Sequence, residues 1–233
     1  MALINDFLSL IYPRHCQACG ILLFAHEHSI CRLCRLNLPK SDFHLQTNNP
    51  LTTMLGGRVP LNFSLCLYLF EKSGKVQRLV HTIKYHKHKE LAVLLGELLG
   101  QEVKPTVPQS EFDLIVPIPL HPKKQNERGF NQSEEFAKGL SKSMAVPINN
   151  GLLRRAKASP TQTRKKKYQR WENVEGIFDL APEHDLKDKH VLIVDDVVTT
   201  GATIDSAWQC FKHIDGIRIS VACIAFAKPG NFN

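Results

Sequence analysis

The sequence predicts an α/β fold with a mainly parallel sheet, plus a small N-terminal metal knuckle. Three observations carry this. Short runs of branched apolar residues alternate with segments of helical periodicity, which is how strands and crossover helices read. The run Val191-Leu192-Ile193-Val194 is apolar at every position, as befits a strand buried on both faces. Two CxxC pairs, Cys16-x-x-Cys19 and Cys31-x-x-Cys34, stand near the N-terminus.

At 233 residues, with 43% hydrophobic and 22% charged residues, the chain has room for one main domain and an appendage. We place the boundary at 50, giving a double-CxxC domain over 1–50 and the α/β domain over 51–233. No apolar run approaches the roughly 20 residues of a membrane span. The stretch from Met1 to Arg14 lacks the basic start and small-residue cleavage site of a secretory signal. A cytoplasmic protein is expected.

In the knuckle, each CxxC pair suits one edge of a tetrahedral zinc ion, and Gly20 permits the tight turn beside the first. A disulfide framework is the competing reading, and the expected compartment disfavours it. Four thiolates leave no open position on the metal, so zinc here would be structural. His15, His26 and His28 read as solvent-facing, and Cys66, Cys210 and Cys223 as core residues.

The segment from Lys40 to Pro60 has little periodicity and reads as a linker or irregular wrap. A strand is predicted over Leu61–Phe70. Helices follow over Val76–Tyr85 and Glu90–Leu99, the latter carrying Leu91, Leu94, Leu95 and Leu98 on one side. Phe112–Ile118 reads as a buried strand ended by Pro117 and Pro119. The stretch His121–Gln132 reads as a basic loop leading into a helix through Phe136 and Leu140. It is either a pyrophosphate-holding loop or plain surface. Val146–Leu153, Asn173–Leu180 and Ile217–Ala227 are the remaining strand candidates.

The strand at 191–194 ends on Asp195 and Asp196, and the turn Thr199-Thr200-Gly201-Ala202-Thr203 leads into a helix. Ligands of open α/β sheets bind at the carboxyl ends of strands. Hydroxyls and free N–H groups at a helix N-terminus suit a phosphate. Adjacent carboxylates repel a phosphate but accept hydrogen bonds from vicinal sugar hydroxyls. Together they describe a ribose 5-phosphate pocket, the alternative being an ordinary capped strand. Lys84, Lys123 and Arg128 are the cations available for a pyrophosphate.

The formal charge is +8, unevenly spread. Arg154, Arg155, Lys157, Arg164, Lys165, Lys166, Lys167 and Arg170 occur with no acid among them, and Tyr168 and Trp171 stand at the far end. A second cluster comprises Lys72, Lys75, Arg78, Lys84, Lys87 and Lys89. Such runs are solvated faces, a surface for nucleic acid, or a clamp over a pyrophosphate. Lys165, Lys166, Lys167, Tyr168, Arg170 and Trp171 are the nucleic-acid candidates, because single strands bind positive grooves set with stacking rings.

The Asp195–Thr203 turn resembles the signature of the type I phosphoribosyltransferases. In chain order, the double CxxC, Ile83-Lys84-Tyr85, Val116-Pro117-Ile118-Pro119, Arg128-Gly129-Phe130-Asn131-Gln132, Thr161-Gln162 and Arg170 with Asn173 resemble the ComF family of competence proteins. Lys165 departs from the family pattern, where an apolar residue is usual. The resemblance implies a type I phosphoribosyltransferase fold with an N-terminal zinc domain, and a role in handling DNA during natural transformation. It implies phosphoribosyl pyrophosphate or a related nucleotide at Asp195, Asp196 and Thr199–Thr203, with Mg²⁺, and a flap near Thr161–Arg170. Three readings compete: a binding protein for phosphoribosyl pyrophosphate and single-stranded DNA, an active transferase of unknown acceptor, and a knuckle that docks an uptake protein such as a competence helicase. No general base is recognisable.

Overall fold

The computed structural model describes residues 13–156, 176–182 and 184–227. A four-stranded, all-parallel sheet runs in the order β1-β6-β5-β2, formed by β1 (Leu61–Leu69), β6 (Arg218–Phe226), β5 (His190–Val198) and β2 (Leu114–Pro117). Each connection between parallel neighbours needs a crossover, and the helices supply it. A second, two-stranded antiparallel sheet pairs β3 (Leu153–Arg155) with β4 (Phe178–Leu180).

Alternation along β5 separates two cores. Leu192 and Val194 face one cluster, with α3 (Lys75–Tyr85), α4 (Lys89–Val103) and α6 (Gln132–Met144) packed there. Val191 and Ile193 face the other, which takes α2 (Pro50–Leu55) and α7 (Ala202–Phe211) through Leu51, Leu55, Ile204, Ala207 and Phe211. The knuckle carries the short helix α1 (Arg32–Asn37), and its Cys16, Ala18, Ile30, Cys31 and Cys34 belong to the first cluster, so it packs against the same helices as β5.

Helices α4 and α6 touch backbone to backbone. A Cβ on Gly96 would lie 2.1 Å from the Phe136 carbonyl oxygen, and one on Gly139 2.0 Å from that of Val93. Neither glycine stands at a turn; both are there because nothing larger fits.

Four readings are corrected. The stretch taken as a basic loop is itself a helix, α5 (Pro122–Arg128). His121 caps it, Pro122 opens it at the first turn, and Gly129 closes it in the left-handed region at φ 79°. The segment taken as irregular holds a 3₁₀ turn (Phe43–Leu45) and α2, whose N-cap is Asn49, bonded to the Thr52 N–H at 2.9 Å. The strand expected over Val146–Leu153 is only a bridge from Ile148 to Ile115. The strand proper starts at Leu153 and joins β4, outside the main sheet. Finally, β5 does not stop at the carboxylates: it pairs with β6 through Val197 and Val198, so Asp195 and Asp196 lie within the strand.

Candidate functional site

β5 pairs with β2 over Val191–Val194 and with β6 as far as Val198, so the two carboxylates project from the sheet just past the last β2 pairing. Asp195 accepts from the Ser133 hydroxyl at 3.1 Å and from the Asp196 N–H at 2.8 Å. Asp196 pairs with Lys84 Nζ at 2.9 Å. Burial first, and the neighbouring Asp196 charge second, push the Asp195 carboxyl up to about 7, against the opposing pull of the Asp196 N–H, Lys84 and Ser133. Asp195 is thus a carboxyl near its titration point at neutral pH, beside the Lys84-paired Asp196.

Gly201 takes φ 75°, and α7 starts at Ala202. A Cβ at Gly201 would come within 2.4 Å of Leu55 Cδ2, so α2 seats directly under the turn. Arg58 donates to the Thr200 carbonyl at 3.2 Å and lies 3.5 Å from Asp205. The Thr200 hydroxyl accepts from the Ala202 N–H at 3.4 Å. Thr199 and Thr203 are partly buried and Thr200 and Ala202 exposed, so the turn has one face to solvent.

The three pyrophosphate candidates part company. Lys84 is engaged by Asp196. Arg128 lies over the Tyr85 ring and bonds Gln132 at 2.7 Å, the residue before the Ser133 that reaches Asp195. Lys123 is exposed on α5. Lys165, Lys166, Lys167, Tyr168, Arg170 and Trp171 lie outside the described residues. Ser133 and Arg155 were missed in the sequence. Arg155 donates to the Pro119 carbonyl at 3.2 Å, and burial lowers its pKa while the Asp195 charge works the other way. Arg155 was legible only as one cation of a run. Ser133 directly follows the Arg-Gly-Phe-Asn-Gln motif, which was the available signal.

In the knuckle, the Sγ atoms of Cys16, Cys19, Cys31 and Cys34 lie within 4.8 Å of one another, with Cys19 and Cys31 3.8 Å apart. Sulfurs at about 2.3 Å from a tetrahedral zinc ion stand about 3.8 Å apart, so the donor set fits. Burial tends to raise the Cys16 pKa, but N–H donors from Cys31, Cys19 and Ala18 outweigh it and hold that thiol at about 7. Burial raises the Cys31 and Cys34 thiols. Glu27 braces the loop between the pairs, accepting from the Arg32 N–H at 2.6 Å and the Phe24 N–H at 3.0 Å; those bonds lower its pKa.

The phosphoribosyl transferase domain family matches residues 131–231, from the cap of α6 through β5, the turn, α7 and β6. Fold and match give a phosphoribosyltransferase-like fold of type I. The chain is 26% identical over 230 residues to the DNA utilization protein YhgH of Escherichia coli K12, covering 92% of this chain and 98% of that one. It is 29% identical over 161 residues to Competence protein F of Haemophilus influenzae (69% and 70% covered), and 35% over 103 residues to Competence protein ComFC of Bacillus subtilis (44% and 39%). These similarities support a ComF-like protein with a competence-associated, phosphoribosyltransferase-like role. No helix among the described residues is long and apolar enough to cross a membrane.

Proposed function

We propose that the protein binds phosphoribosyl pyrophosphate at the end of β5 and handles single-stranded DNA during natural transformation, in the cytoplasm. One observation carries the ligand assignment: the Asp195–Asp196 pair stands near the carboxyl end of β5, followed within a few residues by a left-handed glycine and the N-terminus of α7. The two carboxylates accept the ribose 2- and 3-hydroxyls, while the N–H groups and hydroxyls of Thr199–Thr203 take the 5-phosphate. Lys84 holds Asp196 in place, and Ser133 does the same for Asp195. Mg²⁺ accompanying the diphosphate would find hard oxygen donors in this pair. Zinc held by Cys16, Cys19, Cys31 and Cys34 staples the N-terminal segment to the helices.

Calorimetry with phosphoribosyl pyrophosphate and Mg²⁺ tests this. Asp195→Asn combined with Asp196→Asn keeps the shape but weakens two acceptors, each charge-assisted bond being worth roughly 1.5–3 kcal/mol. Affinity should fall by well over tenfold while the fold persists. Equal affinity in wild type and double variant would move the ligand elsewhere.

A further inference from the structure

Two basic segments, about forty residues apart in sequence, meet in the fold. The α3–α4 turn brings His81, Tyr85, His86, Lys87 and Lys89 together. The end of α5 brings Arg128, whose guanidinium carbon lies 5.8 Å from the Tyr85 ring centroid. Tyr85 is 63% exposed, an unusual outlay of apolar surface for a ring at a helix end. It is not loose. The His81 ring stands 4.5 Å from it and 5.6 Å from His86, and Gln132 holds Arg128 at 2.7 Å. Lys89 reaches over Phe130 at 5.4 Å, so the α4 start and the α5–α6 junction form one surface. From Lys72 to Lys89 there is no acid; Glu90 and Glu127 bound the patch.

We propose that this corner binds single-stranded nucleic acid, with Tyr85 stacking on a base and Lys87, Lys89 and Arg128 facing the phosphates. The proposal rests on the DNA-handling reading and assigns it to residues other than the Lys165–Lys167 run. A pre-positioned ring flanked by cations is what sequence-independent strand binding requires, since every base offers a π-face and every linkage a charge. Duplex DNA, its bases stacked inward, offers the ring nothing. Lys84, adjoining Tyr85, is bonded to Asp196, so a strand seated here passes beside the phosphoribosyl site.

Anisotropy of a labelled oligothymidylate with the full chain tests the corner. Tyr85→Ala should weaken the strand by roughly five- to a hundredfold at every salt concentration, with the salt slope unchanged. Tyr85→Phe should retain affinity. Lys87→Ala with Lys89→Ala should shallow the log–log salt slope by about 1.4. Phosphoribosyl pyrophosphate should bind Tyr85→Ala as it binds wild type. The corner is overturned if Tyr85→Ala holds the strand normally, if it loses both ligands equally, or if thymidine monophosphate binds as tightly as the strand. Normal binding by Tyr85→Ala, with loss on changing Lys165, Lys166 and Lys167 to alanine, leaves DNA handling standing and removes only this surface. A wild type that binds no strand even at low salt ends the DNA reading itself.

Discussion

Lys84 and Asp196 meet at 2.9 Å, tying the last turn of α3 to the end of β5. The contact matters beyond the pair, because the Lys84 charge also lowers the pKa of Asp195. Lys84→Met should therefore move the Asp195 titration upward from about 7. Carbon-detected NMR of the carboxyl groups reads this directly; an unmoved or lowered midpoint would mean that Lys84 does not act on Asp195.

The same carboxyl sets a stability trend. Its folded pKa is raised above the ordinary aspartate value, so it favours the fold when protonated, and that contribution is lost as pH climbs from about 4 through about 7. Asp195→Asn removes the penalty of burying the charge. At pH 8 it should stabilise the fold on the order of 1–3 kcal/mol, with little gain at pH 4. Denaturant titrations at the two pH values check it, and a variant weaker than wild type at pH 8 would contradict the burial argument.

His190 runs the other way. It is fully buried between Phe63 and Phe112, with Nε2 2.8 Å from Ser220 Oγ. Burial first, then the Arg218 charge, lowers its pKa, while Glu111 at 3.5 Å from Nδ1 opposes. Asp113, bonded to the His190 N–H and paired with Lys189, completes the charged surroundings. A depressed histidine stabilises the fold above its unfolded value, near 6.5, and that contribution goes as pH falls through the folded value. Wild type should lose thermal stability below about pH 6.5, and His190→Gln should show a flatter profile in that window. Parallel acid profiles for the two proteins would exclude His190 as the cause.

Gly96→Ala drives a methyl into the Phe136 carbonyl. Overpacking of this kind costs roughly 1–3 kcal/mol, and α6 must give way. Since α6 carries Ser133, phosphoribosyl pyrophosphate affinity should drop as well, which calorimetry at a temperature where the variant remains folded can show.

Cysteine-to-serine change at any of positions 16, 19, 31 or 34 should release about one zinc per chain, measured by elemental analysis, and lower the melting temperature. Metal-free wild type purified without chelator would refute the zinc assignment.

Periodicity and composition were enough for β1, the helices α3, α4 and α6, and the apolar run of β5, because each buries one continuous stripe or core strand. The carboxylate–glycine turn and the cysteine spacing were legible because their chemistry is local. What sequence hid was tertiary. α5 is polar on every side, so no stripe marks it. Gly96 and Gly139 looked like weak points in helices until their backbones met. Ser133 and Lys84 reach the carboxylates from segments about 60 and 110 residues away, a closeness no local pattern encodes.

Leu55 beneath Gly201 has a consequence for dissecting the chain. A cut at residue 50, natural on composition, falls at the first residue of α2 and strips away its Asn49 cap, which also bonds the Ser64 hydroxyl and carbonyl. The two halves are not interchangeable cassettes. A truncation that keeps the turn must begin ahead of Phe43, and a chimera carrying a foreign knuckle must retain that prop.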